Sequence, residues 1–240
     1  MPTADMAHFV LVHGAFHGGW CWRHVLPRLD ALGHSAVAVD LPGHAPCDAP
    51  QPAVTLADYR AAVVAALTPG CVLVGHSLGG LSITMAGAAC PEAIGKIVYL
   101  AAHVPQSGKS LSELRAKAVT PEIGRASERK DGLSRIVDFE LANQVFYGDC
   151  GAEDRALARE RLVPQALSIF EEVMQFDPPD VSRHYIICTR DRAVRPEYQR
   201  AVTADWPATN VHEMDSDHSP FFSDPDGLVA VLDAIARSKT

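Results

Sequence analysis

The stretch Cys71-Val-Leu-Val-Gly-His-Ser77-Leu-Gly-Gly80 decides the fold. Its first four residues form an apolar run of strand length, and the small residues from Leu81 to Ala89 suit a helix that follows at once. Between the two lies Gly75-x-Ser77-x-Gly79, the pattern of a nucleophile elbow, where glycines let the backbone turn so tightly that the serine hydroxyl stands clear of both elements. A helix starting there also directs the N–H of Leu78 at the oxygen that becomes negative when Ser77 attacks a carbonyl. A Gly-rich turn around an inert serine would use the same five residues. The strand before them and the helix behind them favour a nucleophile.

Upstream, Phe9-Val-Leu-Val12 reads as a strand that runs into the glycine-dense loop His13-Gly-Ala-Phe-His-Gly-Gly19. Trp22, Val25, Leu26, Leu29 and Leu32 share one helical face closed by Gly33, and Ala36-Val-Ala-Val39 follows as a second strand. Strand, helix, strand implies a right-handed parallel crossover. Thr55 with Asp58 resembles a capping box, opening a helix that Pro69 and Gly70 stop. Downstream, strands are expected at Lys96–Leu100, Tyr185–Cys188 and Asn210–Met214, and a last helix after Asp224-Pro225 turns Leu228, Leu232 and Ile235 inward. The expected class is α/β, with a mostly parallel central sheet flanked by helices.

From Gly108 to Pro179 the strand rhythm disappears, and the segment is charged and helical in pattern, as with Leu167, Phe170 and Met174 on one face ahead of Asp177-Pro-Pro179. It reads as an inserted helical cap. The expected division is therefore a core of residues 1–107 and 180–240 with a cap, or lid, of residues 108–179. Leu111, Leu114, Phe139, Phe146, Tyr147, Leu167 and Phe170 give that cap an apolar content suited to a compact aromatic or aliphatic ligand.

A chain of 240 residues can bury a large core as a single domain. Its formal charge of −8, from 21 basic against 29 acidic side chains, leaves no basic stripe for a phosphate backbone, so nucleic acid is not an expected partner. The six cysteines have no metal-ligand or redox spacing and read as reduced thiols. There is no basic leader before an apolar stretch and no run of membrane-spanning length, which leads to the expectation of a soluble cytoplasmic protein that does not engage a membrane. The residues leave a homodimer open.

A serine hydroxyl is a weak nucleophile unless a base takes its proton, and that base needs a third group to hold one tautomer. In elbow-type folds the order along the chain is serine, acid, histidine. Asp191 lies three residues beyond the strand ending at Cys188, and His218 follows the last strand, so both positions fit. Asp217, adjacent to His218 in sequence, is poorly placed to fold back onto its ring. His13 and His17 sit in the loop expected to face the oxyanion, His76 should turn away from the site, and His44 and His103 are loop residues. The second oxyanion donor should be the N–H of Ala15, with Phe16 the next candidate, because Gly14 keeps a side chain out of the path. No metal or organic cofactor is required by this chemistry.

Taken together, Phe9-Val-Leu-Val-His13-Gly-Ala-Phe-His17-Gly-Gly-Trp20-Cys-Trp22, Asp40-Leu-Pro-Gly-His44, Val72 to Gly80, Val98-Tyr-Leu-Ala-Ala102 and Asp217-His218 resemble the α/β-hydrolase group that contains plant methyl esterases, hydroxynitrile lyases and their bacterial esterase relatives. The resemblance implies the α/β-hydrolase fold, a triad of Ser77, His218 and Asp191, and oxyanion donors at Ala15 and Leu78. Pro196-Glu-Tyr-Gln199 resembles a segment that fixes the register around Asp191. Gly14, Phe16, His17, His76 and Ser219 are the further candidates for contact with substrate. Lyase members carry Thr where this chain has Gly14 and Lys where it has Ser219. Without that cation to receive cyanide, the resemblance implies hydrolysis of a small ester through an acyl-enzyme; cyanohydrin cleavage and a non-catalytic small-molecule receptor are the alternatives.

Overall fold

A computed structural model describes residues 6–45 and 51–238. Cys47 lies outside the described residues; the other five cysteines are free thiols. Among the described residues nine strands form: β1 (His8–Val12), β2 (Ser35–Val39), β3 (Cys71–His76), β4 (Ile94–Leu100), β5 (Ser127–Lys130), β6 (Leu133–Ile136), β7 (Gln165–Ala166), β8 (Ser182–Cys188) and β9 (Val211–Met214). Six of them make one sheet in the order β2-β1-β3-β4-β8-β9, with every neighbouring pair parallel.

Alternation along β1 shows why the strands read as continuous apolar runs. Phe9 and Leu11 face one side, where Trp22, Leu29 and, from helix Pro225–Arg237, Leu228 and Leu232 pack. Val10 and Val12 face the other, against helices Leu56–Val64 and Gly79–Ala89. Successive side chains point to opposite faces, and both faces are covered, so no polar alternation is tolerated. Each such side chain contributes about 1.5–3 kcal/mol by leaving water. Helix starts are set locally: Thr55 and Asp58 close the expected capping box, and the Asp224 carboxylate accepts the Gly227 N–H at 3.0 Å with Pro225 in the first turn.

Because β2 and β3 flank β1, the chain reverses its direction of winding there. The loops after β1 and β3 therefore open on a crevice at the C-terminal edge of the sheet, where open parallel sheets place their ligands.

The segment between β4 and β8 is not purely helical, as the sequence pattern suggested. Helices Leu111–Ala118, Pro121–Ala126, Phe139–Phe146 and Ala152–Arg161 share it with an antiparallel sheet of β5, β6 and β7. The β5–β6 hairpin turns at Asp131 and Gly132, whose φ values of 52° and 74° suit a two-residue turn with both centres left-handed. Asp-Gly is the sequence signal for such a turn; Ser-Glu-Arg-Lys in β5 is too polar to announce a strand by periodicity. The helix expected through Leu167, Phe170 and Met174 is a single turn, Ser168–Glu171. Beyond it the chain extends: Gly108 donates to Met174 O at 2.7 Å and Met174 to Lys109 O at 3.0 Å. Among the described residues no helix is long and apolar enough to cross a membrane.

Candidate active site

Ser77 stands between the last residue of β3 and helix Gly79–Ala89 with φ at 52°, left-handed backbone that a non-glycine residue rarely adopts. Its main chain is tied down on both sides: its N–H donates to Leu100 O and its carbonyl accepts from His103 N, both at 3.1 Å. Gly79 permits the close crossing of the helix start over β1, since a Cβ there would lie 2.7 Å from His13 O and 2.9 Å from Val12 O.

Asp191 and His218 come from the loops after β8 and β9 and meet at 2.8 Å, Oδ2 to Nδ1, both buried. Asp191 Oδ1 accepts from the N–H groups of Ala193 at 2.7 Å and Val194 at 2.9 Å, and Oδ2 also accepts from the Gln199 amide at 2.9 Å. A carboxylate held by three donors cannot swing, so His218 carries its hydrogen on Nδ1 and keeps a lone pair on Nε2. Gln199 is itself fixed, accepting from Cys188 N at 3.0 Å and donating to Val194 O at 2.7 Å. Ser77 and His218 line the same cavity. Among the described residues no hydrogen bond joins the Ser77 hydroxyl to His218.

The loop after β1 supplies the other wall. The Gly14 carbonyl accepts from His13 Nδ1 and the Ala15 carbonyl from His17 Nδ1, each at 2.8 Å, while the Phe16 carbonyl accepts from Val163 N at 2.9 Å. In a planar trans peptide the next N–H points opposite to the carbonyl. Binding the Gly14 and Ala15 carbonyls on the far side thus turns the N–H groups of Ala15 and Phe16 the other way, and Phe16 adopts φ 67° in doing so. Ala15, Phe16 and Leu78 all line the cavity, and among the described residues none of their N–H groups has an acceptor.

His13, His17 and His76 build this architecture in their neutral form, with His44 beside them. His13 donates from Nδ1 and accepts Leu41 N–H on Nε2 at 3.1 Å. His17 accepts the Tyr147 hydroxyl at 2.5 Å, His44 contacts His17 O and Tyr59, and His76 donates from Nε2 to the His218 carbonyl at 2.9 Å. Burial, reinforced by neighbouring imidazoles, holds His13 and His76 well below the usual histidine range and His17 at about 4. His103 falls to about 3, from burial first and then from the charge of Arg115.

A profile of the alpha/beta hydrolase family matches residues 9–231. The chain belongs to that family. This alpha/beta hydrolase is 34% identical over 253 residues to Methylesterase 2 of Arabidopsis thaliana, covering 94% of this chain and 96% of that one. It is 32% identical over 263 residues to Esterase PIR7B of Oryza sativa subsp. japonica, covering 99% and 98%. The crystal structure of polyneuridine aldehyde esterase superimposes with a TM-score of 0.84 at 27% identity, over 96% of this chain and 99% of that one.

Of the residues singled out in the sequence, the alpha/beta hydrolase cavity gathers Ser77, His218, Gly14, Ala15, Phe16, His17, His76 and Leu78, with Asp191 behind His218. His76 does not turn away: it packs on the His218 ring with centroids 4.5 Å apart. Ser219 is not in the lining. It precedes the helical turn Pro220–Ser223, its N–H bonds Asp217 at 3.1 Å, and its hydroxyl is buried outside the cavity. His44 and His103 are buried rather than solvated, His103 in the cavity wall. Asp217 is a structural acceptor for Asp149 N at 2.9 Å, Ser219 N and Ser223 Oγ at 2.8 Å, pinning the 149 turn to the histidine loop. Of the cap side chains expected to face a ligand, Leu111, Phe146 and Phe170 do so, whereas Leu114, Phe139, Tyr147 and Leu167 pack elsewhere. Sequence reasoning missed Arg115, a cavity-lining cation on helix Leu111–Ala118 that no periodic pattern distinguishes from a solvated one.

Proposed function

We propose that this chain is a serine carboxylesterase acting on a small carboxylic ester. Ser77 Oγ attacks the ester carbonyl while His218 Nε2 takes its proton, and Asp191 holds the imidazole and stabilises the charge it gains. The N–H groups of Ala15 and Leu78 receive the oxyanion, each donor worth about 3 kcal/mol in the transition state. Collapse expels the alcohol with the proton returned from His218, and a water activated by the same base then releases the acid from Ser77. Residues 108–179 act as the cap that closes this site. The cavity's roughly 450 Å³ of empty space, open mouth included, and walls such as Leu111, Ile123 and Phe146 suit a compact ester.

The observation that carries the reading is the buried Asp191–His218 bond beside unpaired N–H groups at a left-handed Ser77, in a chain whose relatives are named as esterases. Cyanohydrin cleavage is disfavoured at position 14, where a Thr in place of Gly14 would put its Cβ 2.9 Å from both His76 Nδ1 and Ser77 Cβ. The test is a panel of short aryl, alkyl and methyl esters beside cyanohydrins, run on wild type and Ser77→Ala. Ester turnover should fall by about four or more orders of magnitude in the variant; a tenth of wild-type activity remaining would remove Ser77 from the role, and Ser77-dependent cyanide release without ester turnover would favour the lyase.

A further inference from the structure

Arg115 is set apart from the other described arginines by its place in the cavity wall, since Arg60, Arg155 and Arg183 also bond no carboxylate but lie outside it. Arg23, Arg28, Arg125, Arg190, Arg200 and Arg237 each bond a carboxylate. Arg115 is half-buried in the cavity wall, and among the described residues no carboxylate bonds it. Its guanidinium carbon sits 4.6 Å from the centroid of the Phe170 ring. A cation–π contact of that kind repays only part of the cost of withdrawing a cation from water. Burial and the nearby charge of Arg129 lower its pKa to about 10, which leaves it charged at neutral pH.

Two further observations point to a ligand. Arg115 and Val119 also line a surface groove adjoining the cavity, together with Arg129 and Arg195, exposed arginines that likewise bond no carboxylate among the described residues. Three guanidinium groups thus line one surface groove that shares Arg115 and Val119 with the cavity, in a chain whose formal charge is −8. Inside, His103 is 3% exposed, lines the same cavity as Arg115, and has a buried Nδ1 without a partner. A cation and a free imidazole nitrogen in one apolar wall form a complement to an anion.

We infer that Arg115, supported by His103 within the cavity and by Arg129 and Arg195 in the adjoining groove, is an anion subsite, and that the substrates are esters bearing a second, ionised carboxylate, such as half-esters of dicarboxylic acids. This rests on the hydrolytic reading above and narrows its substrate class. Hydrolysis itself is unchanged: Ser77 takes the ester carbonyl while the distal carboxylate stays bound, which orients the scissile bond.

The experiment compares kcat/KM for monomethyl glutarate with that for the neutral dimethyl glutarate. Wild type should favour the half-ester, and the preference should weaken between about 0.05 and about 0.5 M NaCl as the groove arginines are screened. In Arg115→Gln the ratio of the two constants should fall by about 10- to 100-fold, mostly through KM of the half-ester, with partial recovery in Arg115→Lys. If Arg115→Gln fails to fold, the exposed pair Arg129→Gln/Arg195→Gln should still lower the ratio severalfold. A readout independent of turnover is calorimetric titration of glutarate into Ser77→Ala, expected to show binding that is lost in Ser77→Ala/Arg115→Gln. A substrate ratio unchanged within twofold by Arg115→Gln, or no glutarate binding, overturns the subsite while leaving an active esterase intact. Arg115-dependent glutarate binding in a protein that hydrolyses no ester supports the subsite and overturns the hydrolytic reading instead.

Discussion

Lowering the pH from 7 to 5 should cost this fold about 4 kcal/mol through His17 and His103 alone. Both are buried with pKa values depressed to about 4 and about 3, whereas an unfolded histidine titrates near 6.5. The unfolded chain therefore binds more protons than the native one between those limits, and stability rises with pH there. The contribution is present above about pH 6.5, is lost progressively as the pH falls, and stops changing below the folded pKa. At pH 5 an unfolded imidazole gains about 2 kcal/mol from protonation that its native counterpart forgoes, hence about 4 kcal/mol for the pair. His13 and His76, lowered for the same reason, add to it. Against a typical total of about 5–15 kcal/mol the loss is large.

Urea unfolding followed by tryptophan fluorescence at pH 7, 6 and 5 measures the loss directly, and His103→Gln isolates one share of it. The variant should lose about 2 kcal/mol less than wild type across the same interval, whatever its absolute stability. Identical pH slopes in the two proteins, or a wild-type loss under about 1 kcal/mol, would refute the claim that these imidazoles are held neutral by burial.

Asp191→Asn should lower kcat by about four orders of magnitude, because an amide facing Nδ1 favours the wrong imidazole tautomer. Asp217→Asn should instead cost about 1–3 kcal/mol of stability, by setting an NH2 against buried N–H donors, with activity within about tenfold of wild type; the opposite ranking in steady-state kinetics and thermal melts would make Asp217 the acid. Gly79→Ala should reduce soluble yield sharply or lower Tm by many degrees, since the backbone oxygens of His13 and Val12 cannot yield. Gly124→Ala is the counterpart: it sits in helix Pro121–Ala126 with nothing within 4 Å of the added Cβ, and should stabilise by about 0.5–1 kcal/mol.

The parts legible in the sequence are those where one local signal carries one structural demand. β3 is buried on both faces, so its residues are apolar without interruption, and the elbow must have glycine where Gly79 crosses the oxygens of β1. Thr55, Asp58, Asp224 and Pro225 likewise act within a few residues of themselves. The order Ser77, Asp191, His218 is of another kind: it is taken from the pattern of elbow-type folds rather than from a local signal, and the structure joins Asp191 to His218 from the loops after β8 and β9.

Illegible parts depend on partners remote in the chain. β5 is stabilised by an Asp-Gly turn and main-chain pairing, so its Ser-Glu-Arg-Lys carries no apolar period, and Met174 extends because it pairs with Gly108 and Lys109 rather than with its helical neighbours. The sequence leaves His13 and His17 open between shaping their glycine-rich loop and touching substrate; each spends a ring nitrogen on a carbonyl of that loop, which aims the N–H groups of Ala15 and Phe16. Orientation of a donor is a property of the peptide's other end, and a one-dimensional pattern has no term for it. Arg115 is the sharpest case. In sequence it stands two residues after Glu113 and two before Lys117, one charge among several on an amphipathic helix. Its meaning comes from what the helix packs against: the guanidinium lies over Phe170 and lines the cavity, with no carboxylate bonded to it among the described residues. If Arg115 is the anion subsite proposed above, exchanging it should change the preferred ester while Ser77 and His218 continue to work.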